Sequence, residues 1–172
     1  MLIKDNFLFF WRTEDIYSQW HPSSFIDDGD GSASATVLYE NAEQYMMAQK
    51  AILFKDDATF KLILKEIDPR KIKALGRQVK NYNDDVWLRN RYRIVRRGNL
   101  LKFAQNLDLS RQLLETNELI LVEASPYDKI WGVGMAEDHP DITDPTKWNG
   151  LNLLGKALMD VRSELRADNI IF

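Results

Sequence analysis

Short hydrophobic runs separated by polar residues mark the first forty positions of the chain, a pattern typical of strands and loops. Residues 6–11 form an aromatic-rich run that predicts a strand. Residues 27–34 are polar and contain two glycines, which predicts a loop, and residues 35–39 are predicted to form the returning strand. We therefore expect a small sheet at the start of the chain.

From residue 41 the hydrophobic spacing becomes helical. Asn41 and Gln44 have the spacing of a capping box and predict a helix that continues to about Phe54. Further helices are predicted over residues 57–67, from Asp68-Pro69 to Gly76, from Asp84 or Asp85 to Phe103, over residues 110–116 and over residues 151–166, with one more strand at residues 119–123. The pattern predicts a predominantly helical α+β fold with a few short strands, and no linker or repeat divides it, so we expect one domain over residues 1–172.

Composition limits the kinds of site that the chain can build. Its 172 residues are 45% hydrophobic and 28% charged, as in an ordinary globular domain that buries roughly two thirds of its unfolded surface. There is no cysteine, which excludes disulfides, thiolate nucleophiles and Cys-ligated metals. Because the only histidines are His21 and His139, we expect no metal site. We also expect no cofactor.

Charge and hydropathy limit the partners. The first residues are interrupted by charges too soon for a signal peptide, and no apolar stretch approaches the roughly 20 residues of a membrane helix. We therefore expect an intracellular protein, cytoplasmic or nuclear, with no membrane partner. The net charge of −3 argues against a protein that coats duplex nucleic acid, so phosphates are expected to be held locally.

The first predicted helix carries a candidate catalytic pair. Glu43 and Lys50 are seven residues apart, two helical turns, so both project from the same side. The spacing is too long for a direct ion pair, which normally uses four residues. Two interpretations stay open: one reactive site served by both side chains, or a charged stripe facing solvent.

The predicted strand at residues 119–123 leads into a second candidate, a loop suited to ligand binding. Asp128 supplies an acid, Trp131 a flat stacking surface, and the glycines Gly132 and Gly134 allow positive φ or close backbone approach. The alternative is a turn that needs glycine for its shape and a tryptophan that fills the core.

A basic run occupies the long predicted helix. Four arginines fall along one side of this helix and suit phosphate binding: Arg89, Arg93, Arg96 and Arg97. Leu88, Tyr92 and Val95 are expected on an apolar side. The alternative is a solvated face that pairs with acids elsewhere in the chain. Trp87, one turn into this helix, fits either the core or a stacking surface.

Other candidates lie at the ends of predicted elements. Arg77 follows the predicted helix end at Gly76, and Asn152 is placed to bind a ribose or base edge where the last helix begins. The backbone amides of that helix start are expected to form an anion site, and Gly155 suits ligand binding or close packing. The loop residues Trp20 and His21 are binding candidates only.

Six of these segments, taken in order, resemble the NADAR (YbiA-like) family across almost the whole chain. They are residues 18–25, 43–51, 75–77, 87–103, 121–134 and 152–159. The resemblance implies a NADAR domain with N-glycosidase activity on ribosylated bases, catalytic positions at Glu43, Trp87 and Asp128, and Lys50 as a further active-site residue. The candidate ligand-binding residues are then Trp20, His21, Gln49, Arg77, Arg93, Trp131, Gly132, Gly134 and Asn152.

The family comprises members that clear riboflavin-pathway intermediates and members that remove ADP-ribose from guanine in DNA. This chain departs from the common pattern at Ser18-Gln19-Trp20, where many relatives have Ser-Asn-Phe, and in longer loops at residues 27–36 and 137–147. These departures favour ADP-ribosylated guanine in single-stranded DNA, with an ADP-ribose moiety in the site. The alternatives are phosphoribosylated riboflavin intermediates, or a non-catalytic sensor of ADP-ribose.

Overall fold

A computed structural model describes residues 1–29 and 36–167. In chain order its elements are β1 (Leu2–Lys4), β2 (Phe7–Phe10), β3 (Phe25–Asp27), β4 (Val37–Tyr39), α1 (Ala42–Leu53), α2 (Asp57–Lys65), α3 (Pro69–Arg77), α4 (Asp84–Gln105), α5 (Leu107–Glu115), β5 (Ile120–Glu123), a 3-10 turn (Pro145–Lys147) and α6 (Leu153–Ala167). The predicted helical α+β fold is confirmed. Residues 30–35, which hold most of the predicted loop 27–34 and the start of the predicted strand 35–39, lie outside the described residues.

The chain forms two compact units. Unit 1 combines residues 1–21 with the part from residue 107 onward, and unit 2 is residues 22–106. The expected single domain over residues 1–172 stays a prediction. No helix in the described part of the chain is long and apolar enough to cross a membrane.

Unit 1 is built on a three-stranded sheet in the order β1-β2-β5. β2 pairs antiparallel with β1 and parallel with β5. All four residues of β2 are buried, so the strand predicted from this aromatic run is covered on both faces. β1 is an exposed edge strand that the hydrophobic pattern did not predict.

Helix α6 packs on β5, and a buried asparagine fixes the two together. The predicted helical positions Leu154, Leu158, Val161 and Leu165 are all buried. Asn152 is 2% exposed; its Oδ1 accepts from the Glu123 amide at 3.1 Å, and its Nδ2 donates to the Leu121 carbonyl at 2.9 Å. A Cβ at Gly155 would overlap the Leu121 carbonyl, so this glycine is required for close packing.

We expect Asn152→Ala to lower the free energy of unfolding by about 2–4 kcal/mol, because it leaves a buried amide and a buried carbonyl without partners. Asn152 also has φ of +52°, a conformation that alanine tolerates less well. Urea denaturation measures the change. The control Asn149→Ala removes an exposed amide three residues earlier and is expected to change stability little; equal losses in both variants would contradict this role for Asn152.

Unit 2 is organised around α1, which packs against α2, α3 and α4. The first seven residues of α1 are all buried. Strands β3 and β4 pair antiparallel beside it, and the ring of Tyr45 from α1 contacts Phe25 and Tyr39 of that sheet. Position 98 of α4 requires glycine, because a Cβ there would lie 2.5 Å from the Tyr45 ring.

The predicted cap of α1 is confirmed. Asn41 accepts a hydrogen bond from the Gln44 amide at 2.8 Å. The Gln44 side chain reaches back to the amide of Glu40, also at 2.8 Å, and its Nε2 donates to the carbonyls of Ile63 and Glu66 at the end of α2. One side chain thus closes the start of α1 and joins it to α2.

Three predicted helix boundaries are wrong. α4 is capped by Asn83, which accepts from the Val86 amide at 3.0 Å, not by Asp84 or Asp85. α3 continues through Gly76 to Arg77, because Gly76 is a buried helical residue that makes room for Met47 and not a helix end. α5 begins at Leu107, three residues before the predicted start.

Asp56 joins the start of α2 to the segment after α3. It is 5% exposed and accepts hydrogen bonds from the amides of Thr59 and Lys80 and from the Thr59 hydroxyl. The Lys80 amide makes the largest contribution to a pKa of about 2 for this carboxyl, against an ordinary value of 3.8. The charged form is therefore favoured by folding.

We expect Asp56 to contribute to the acid sensitivity of the fold. Its folded pKa lies below its unfolded value, so its stabilisation is complete above about pH 4 and is lost as the pH falls towards 2. In Asp56→Asn, the free energy of unfolding should therefore change less between about pH 4 and pH 2 than it does in the wild type. Denaturation followed by circular dichroism measures it. Asp57→Asn, an exposed neighbour, is the control; identical pH curves for wild type and Asp56→Asn would contradict the prediction.

Candidate functional site

The Lys50 ammonium in unit 2 is held by one carbonyl and two aromatic rings. Its Nζ donates to the Gly76 carbonyl at 2.8 Å and lies 4.4 Å from the ring centre of Tyr82 and 5.5 Å from that of Trp87. These partners come from the end of α3, the segment before α4 and the first turns of α4. Packing of α1 against α3 and α4 therefore builds a small aromatic site around one amine, which we call the Lys50 centre.

The pKa of Lys50 lies below its ordinary value of 10.5. Partial burial is the largest cause, Asp84 raises the pKa, and the positive charge of Arg77 lowers it. Burial disfavours the charged form of an amine, so the neutral form becomes more accessible. A neutral amine is the form that attacks carbon, which makes Lys50 a candidate nucleophile.

Glu43 is buried in the first turn of α1, with 2% of its surface exposed. This burial contradicts the solvent-facing stripe that the sequence left open. Seven residues of helix place Glu43 and Lys50 about 10 Å apart along the axis. Two helical turns thus separate a buried acid from a half-buried amine.

The arginines of α4 differ in their surroundings. Arg97 pairs with Asp27 of β3 at 3.3 Å, the structural role that the sequence left open, whereas Arg89 and Arg93 are exposed. Arg93 also donates to the Asn90 side chain at 3.3 Å. The expected apolar side is wrong at Leu88, which is 52% exposed, because the buried face of α4 begins only at Ile94.

Two other predicted ligand residues lie on elements of unit 2. Gln49, half-buried, hydrogen-bonds the Tyr39 hydroxyl, whose pKa is raised to about 12, mainly by burial. Arg77 is exposed at the last position of α3, near enough to affect Lys50 electrostatically. Their contact with a ligand stays a prediction.

In unit 1, Asp128 shapes the loop that carries it. Its Oδ1 accepts from the amides of Ile130 and Trp131, each at 2.8 Å, and its own amide donates to Ser125 Oγ at 3.1 Å. Asp128 thus fixes the turn of the loop through one carboxylate oxygen.

Glycine is required at the two loop positions, 132 and 134, for different structural reasons. Gly134 has φ of +68°, which confirms the predicted use of positive φ. A Cβ at Gly132 would lie 2.8 Å from the Glu123 carbonyl and 2.9 Å from that of Asp128, so its close approach is to the protein backbone. Trp131, which precedes Gly132, is half-buried. Ligand contacts of these three residues stay predictions.

The anion site expected at the start of α6 is wrong. The amides of Leu153 and Leu154 donate to the carbonyls of Ile130 and Trp131 at 3.2 and 3.1 Å, so they are not directed at a ligand. Both polar atoms of the Asn152 side chain bind β5, as described above. The structure thus explains Asn152 without a ligand, and its contact with substrate stays a prediction.

Trp20 and His21 end the first stretch of unit 1, and both are half-buried. The Trp20 amide donates to Ser18 Oγ at 3.2 Å, and His21 Nδ1 lies 3.2 Å from the Thr13 carbonyl. These contacts fix the local turn, and ligand binding by either residue stays a prediction.

No three His, Asp or Glu side chains among the described residues group closely enough to hold a metal ion.

The predicted catalytic residues divide between the units. Glu43, Lys50 and Trp87 belong to unit 2, and Lys50 and Trp87 are close together there. Asp128 belongs to unit 1, and its participation at the same reaction centre stays a prediction. The sequence did not single out Tyr82, because a lone tyrosine between two helices carries no periodic or motif signal.

Comparison with known proteins identifies similar sequences. The family model described as NADAR domain matches residues 9–166. The chain is 48% identical to the protein named N-glycosidase R617 of Acanthamoeba polyphaga mimivirus, over 87% of this chain and 86% of that protein. It is 33% identical to N-glycosidase Npun_R5314 of Nostoc punctiforme, over 87% and 90% of the two chains.

Two further similarities concern the fold and a longer relative. The NMR structure of Escherichia coli YbiA matches with a TM-score of 0.76 at 24% identity, covering 99% of this chain and 91% of that one. The chain is also 30% identical to the chloroplastic riboflavin biosynthesis protein PYRR of Zea mays, over 93% of this chain but 25% of that protein.

Proposed function

Because the chain belongs to the NADAR family, we propose that it is an N-glycosidase that hydrolyses the bond between ribose C1′ and a base nitrogen. Two relatives matched over most of their length carry the name N-glycosidase. The observation that carries the proposal is the Lys50 centre, where an amine with a lowered pKa lies close to two aromatic rings. Such a site suits a flat base and an electrophilic sugar carbon.

The chemistry of the reaction matches the residue types. Breaking the ribose–nitrogen bond builds positive charge at C1′, and a carboxylate close to that carbon stabilises it. A second acid then protonates the leaving base or takes a proton from water. We assign the first role to Glu43, and Trp87 stacks on the base.

Lys50 offers a covalent variant of this mechanism. Its neutral amine attacks C1′, a carbon–nitrogen bond forms as the bond to the base breaks, and the base leaves with a proton from an acid. The sugar ring then opens to a protonated Schiff base on Lys50, which water hydrolyses to free sugar and free amine. Burial beside Arg77 supports this route, because both effects favour the neutral amine.

We propose ADP-ribosylated guanine in single-stranded DNA as the first substrate. Residues 22–106 contain 15 Lys and Arg against 11 Asp and Glu, an excess of positive charge in the unit that carries Lys50. The exposed Arg77 and Arg93 would bind the phosphates of an ADP-ribose moiety. Guanine in a duplex would first have to be unstacked, at a cost of a few kcal/mol.

The second candidate is a phosphoribosylated intermediate of riboflavin synthesis. It is favoured by the name of the maize relative, whose matching segment covers most of this chain. Such a substrate has one ribose and one phosphate and needs fewer arginines than ADP-ribose. The third candidate is a sensor that binds ADP-ribose, as the first candidate does, but hydrolyses no bond.

One assay separates the candidates. The protein is incubated with ADP-ribosylated single-stranded DNA and, separately, with phosphoribosylaminouracil, and the released base or sugar is measured by mass spectrometry. Release of ADP-ribose with restored guanine supports the first substrate, and cleavage of the second compound alone supports the riboflavin candidate. Binding without release from either compound would overturn the glycosidase proposal.

A further inference from the structure

Tyr82 contacts both the candidate nucleophile and an acid. Its ring centre lies 4.4 Å from Lys50 Nζ, and its hydroxyl donates to Asp84 Oδ1 at 2.8 Å. The ring also packs edge-on against Phe54, with centroids 5.2 Å apart. Tyr82 is therefore fixed by a ring contact and a hydrogen bond while 43% of it stays exposed.

Asp84 is available for this contact because it does not cap α4. The cap is the neighbouring Asn83, whose side chain binds the Val86 amide. The Asp84 carboxylate accepts the Tyr82 hydroxyl instead and acts electrostatically on Lys50. A side chain that the sequence suggested for helix initiation is thus directed at the Lys50 centre.

We propose that Tyr82 and Asp84 are positioning residues for Lys50: the ring supports the ammonium, and the hydroxyl fixes the carboxylate that opposes Arg77. Their role in catalysis rests on the proposed N-glycosidase function, whereas their effect on the charge of Lys50 does not. A ring face near an ammonium attracts it electrostatically. Removing either contact is expected to shift the amine in both position and charge.

Two charged groups of opposite sign act on this amine. Asp84 at the start of α4 raises the pKa of Lys50, and Arg77 at the end of α3 lowers it, beside the larger effect of burial. The Tyr82 hydroxyl itself stays protonated, since burial and Asp84 raise its pKa. The charge of Lys50 therefore depends on a balance between the ends of two helices.

The test is an NMR titration of the Lys50 side chain in ¹³C-labelled protein, with the resonance assigned by Lys50→Arg. Asp84→Asn is expected to lower the pKa of Lys50 by about 0.5 or more, and Arg77→Gln to raise it. Tyr82→Phe keeps the ring and is expected to lower the pKa less than Asp84→Asn does. Asp85→Asn, an exposed acid in the same helical turn, is the matched control and should leave the pKa unchanged.

The outcome separates this inference from the proposed function. Equal pKa values of Lys50 in Asp84→Asn and Asp85→Asn, or shifts of the same sign in Asp84→Asn and Arg77→Gln, would overturn the positioning role. The titration needs no substrate, so it stays decisive even if the protein is not a glycosidase. In an active enzyme, Asp84→Asn should also move the lysine-dependent limb of the pH–rate profile to lower pH, and Asp85→Asn should not.

Discussion

Lys50→Ala is expected to reduce glycosidase activity about 1,000-fold or more, the largest effect of any single substitution in this chain. The substitution removes the amine that Gly76, Tyr82 and Trp87 hold in place. Release of base from the preferred substrate, followed by mass spectrometry, measures the loss. Because Lys50 is half-buried at the end of α1, we expect folding to survive the truncation.

Two further variants make the interpretation specific. Lys61→Ala removes an exposed lysine on α2 and should leave activity near the wild-type level. Lys50→Arg keeps the positive charge but supplies no neutral amine, so the covalent route predicts that it is as inactive as Lys50→Ala. An active Lys50→Ala protein, or no adduct on Lys50 after borohydride reduction during turnover, would exclude the Schiff-base route.

Glu43→Gln is expected to lower kcat about 100-fold or more, because an amide of nearly the same shape stabilises no positive charge at C1′ and transfers no proton. The side chain is buried, so the similar volume should preserve packing. We expect the affinity for ADP-ribose to change little, since the loss falls on the transition state. Steady-state kinetics and calorimetric titration measure the two quantities.

Glu40→Gln is the matched control, because this exposed acid lies three residues before Glu43 and binds Ser24 at 2.8 Å. It should retain activity. Full turnover by Glu43→Gln would remove Glu43 from the mechanism. A wild-type protein that binds ADP-ribose with the same affinity as Glu43→Gln, and turns over nothing, would support the sensor alternative.

Local signals explain which elements the sequence predicted correctly. The Asn41 cap and the Asp68-Pro69 helix start depend on neighbouring residues alone, and both are present in the structure. β1 was missed because its three residues are exposed and are ordered by backbone pairing with β2. The cap of α4 was misplaced because Asn83, Asp84 and Asp85 are all good capping residues.

The candidate site was predictable to the extent that its residues share an element. Helical spacing placed Glu43 and Lys50 on one side of α1, and the Asp128 loop forms its turn with residues two and three positions ahead. The Gly76 carbonyl and Tyr82 reach Lys50 only through packing between helices, which no local pattern encodes. Gly76 was taken for a helix end for the same reason, since its neighbour Met47 comes from α1.

A crystal structure of Glu43→Gln with uncleaved substrate locates the reacting carbon directly. We predict that C1′ of the bound sugar lies about 3.5 Å from Lys50 Nζ, with the base against Trp87. A sugar bound elsewhere, with no ligand near Lys50, Tyr82 and Trp87, would contradict it.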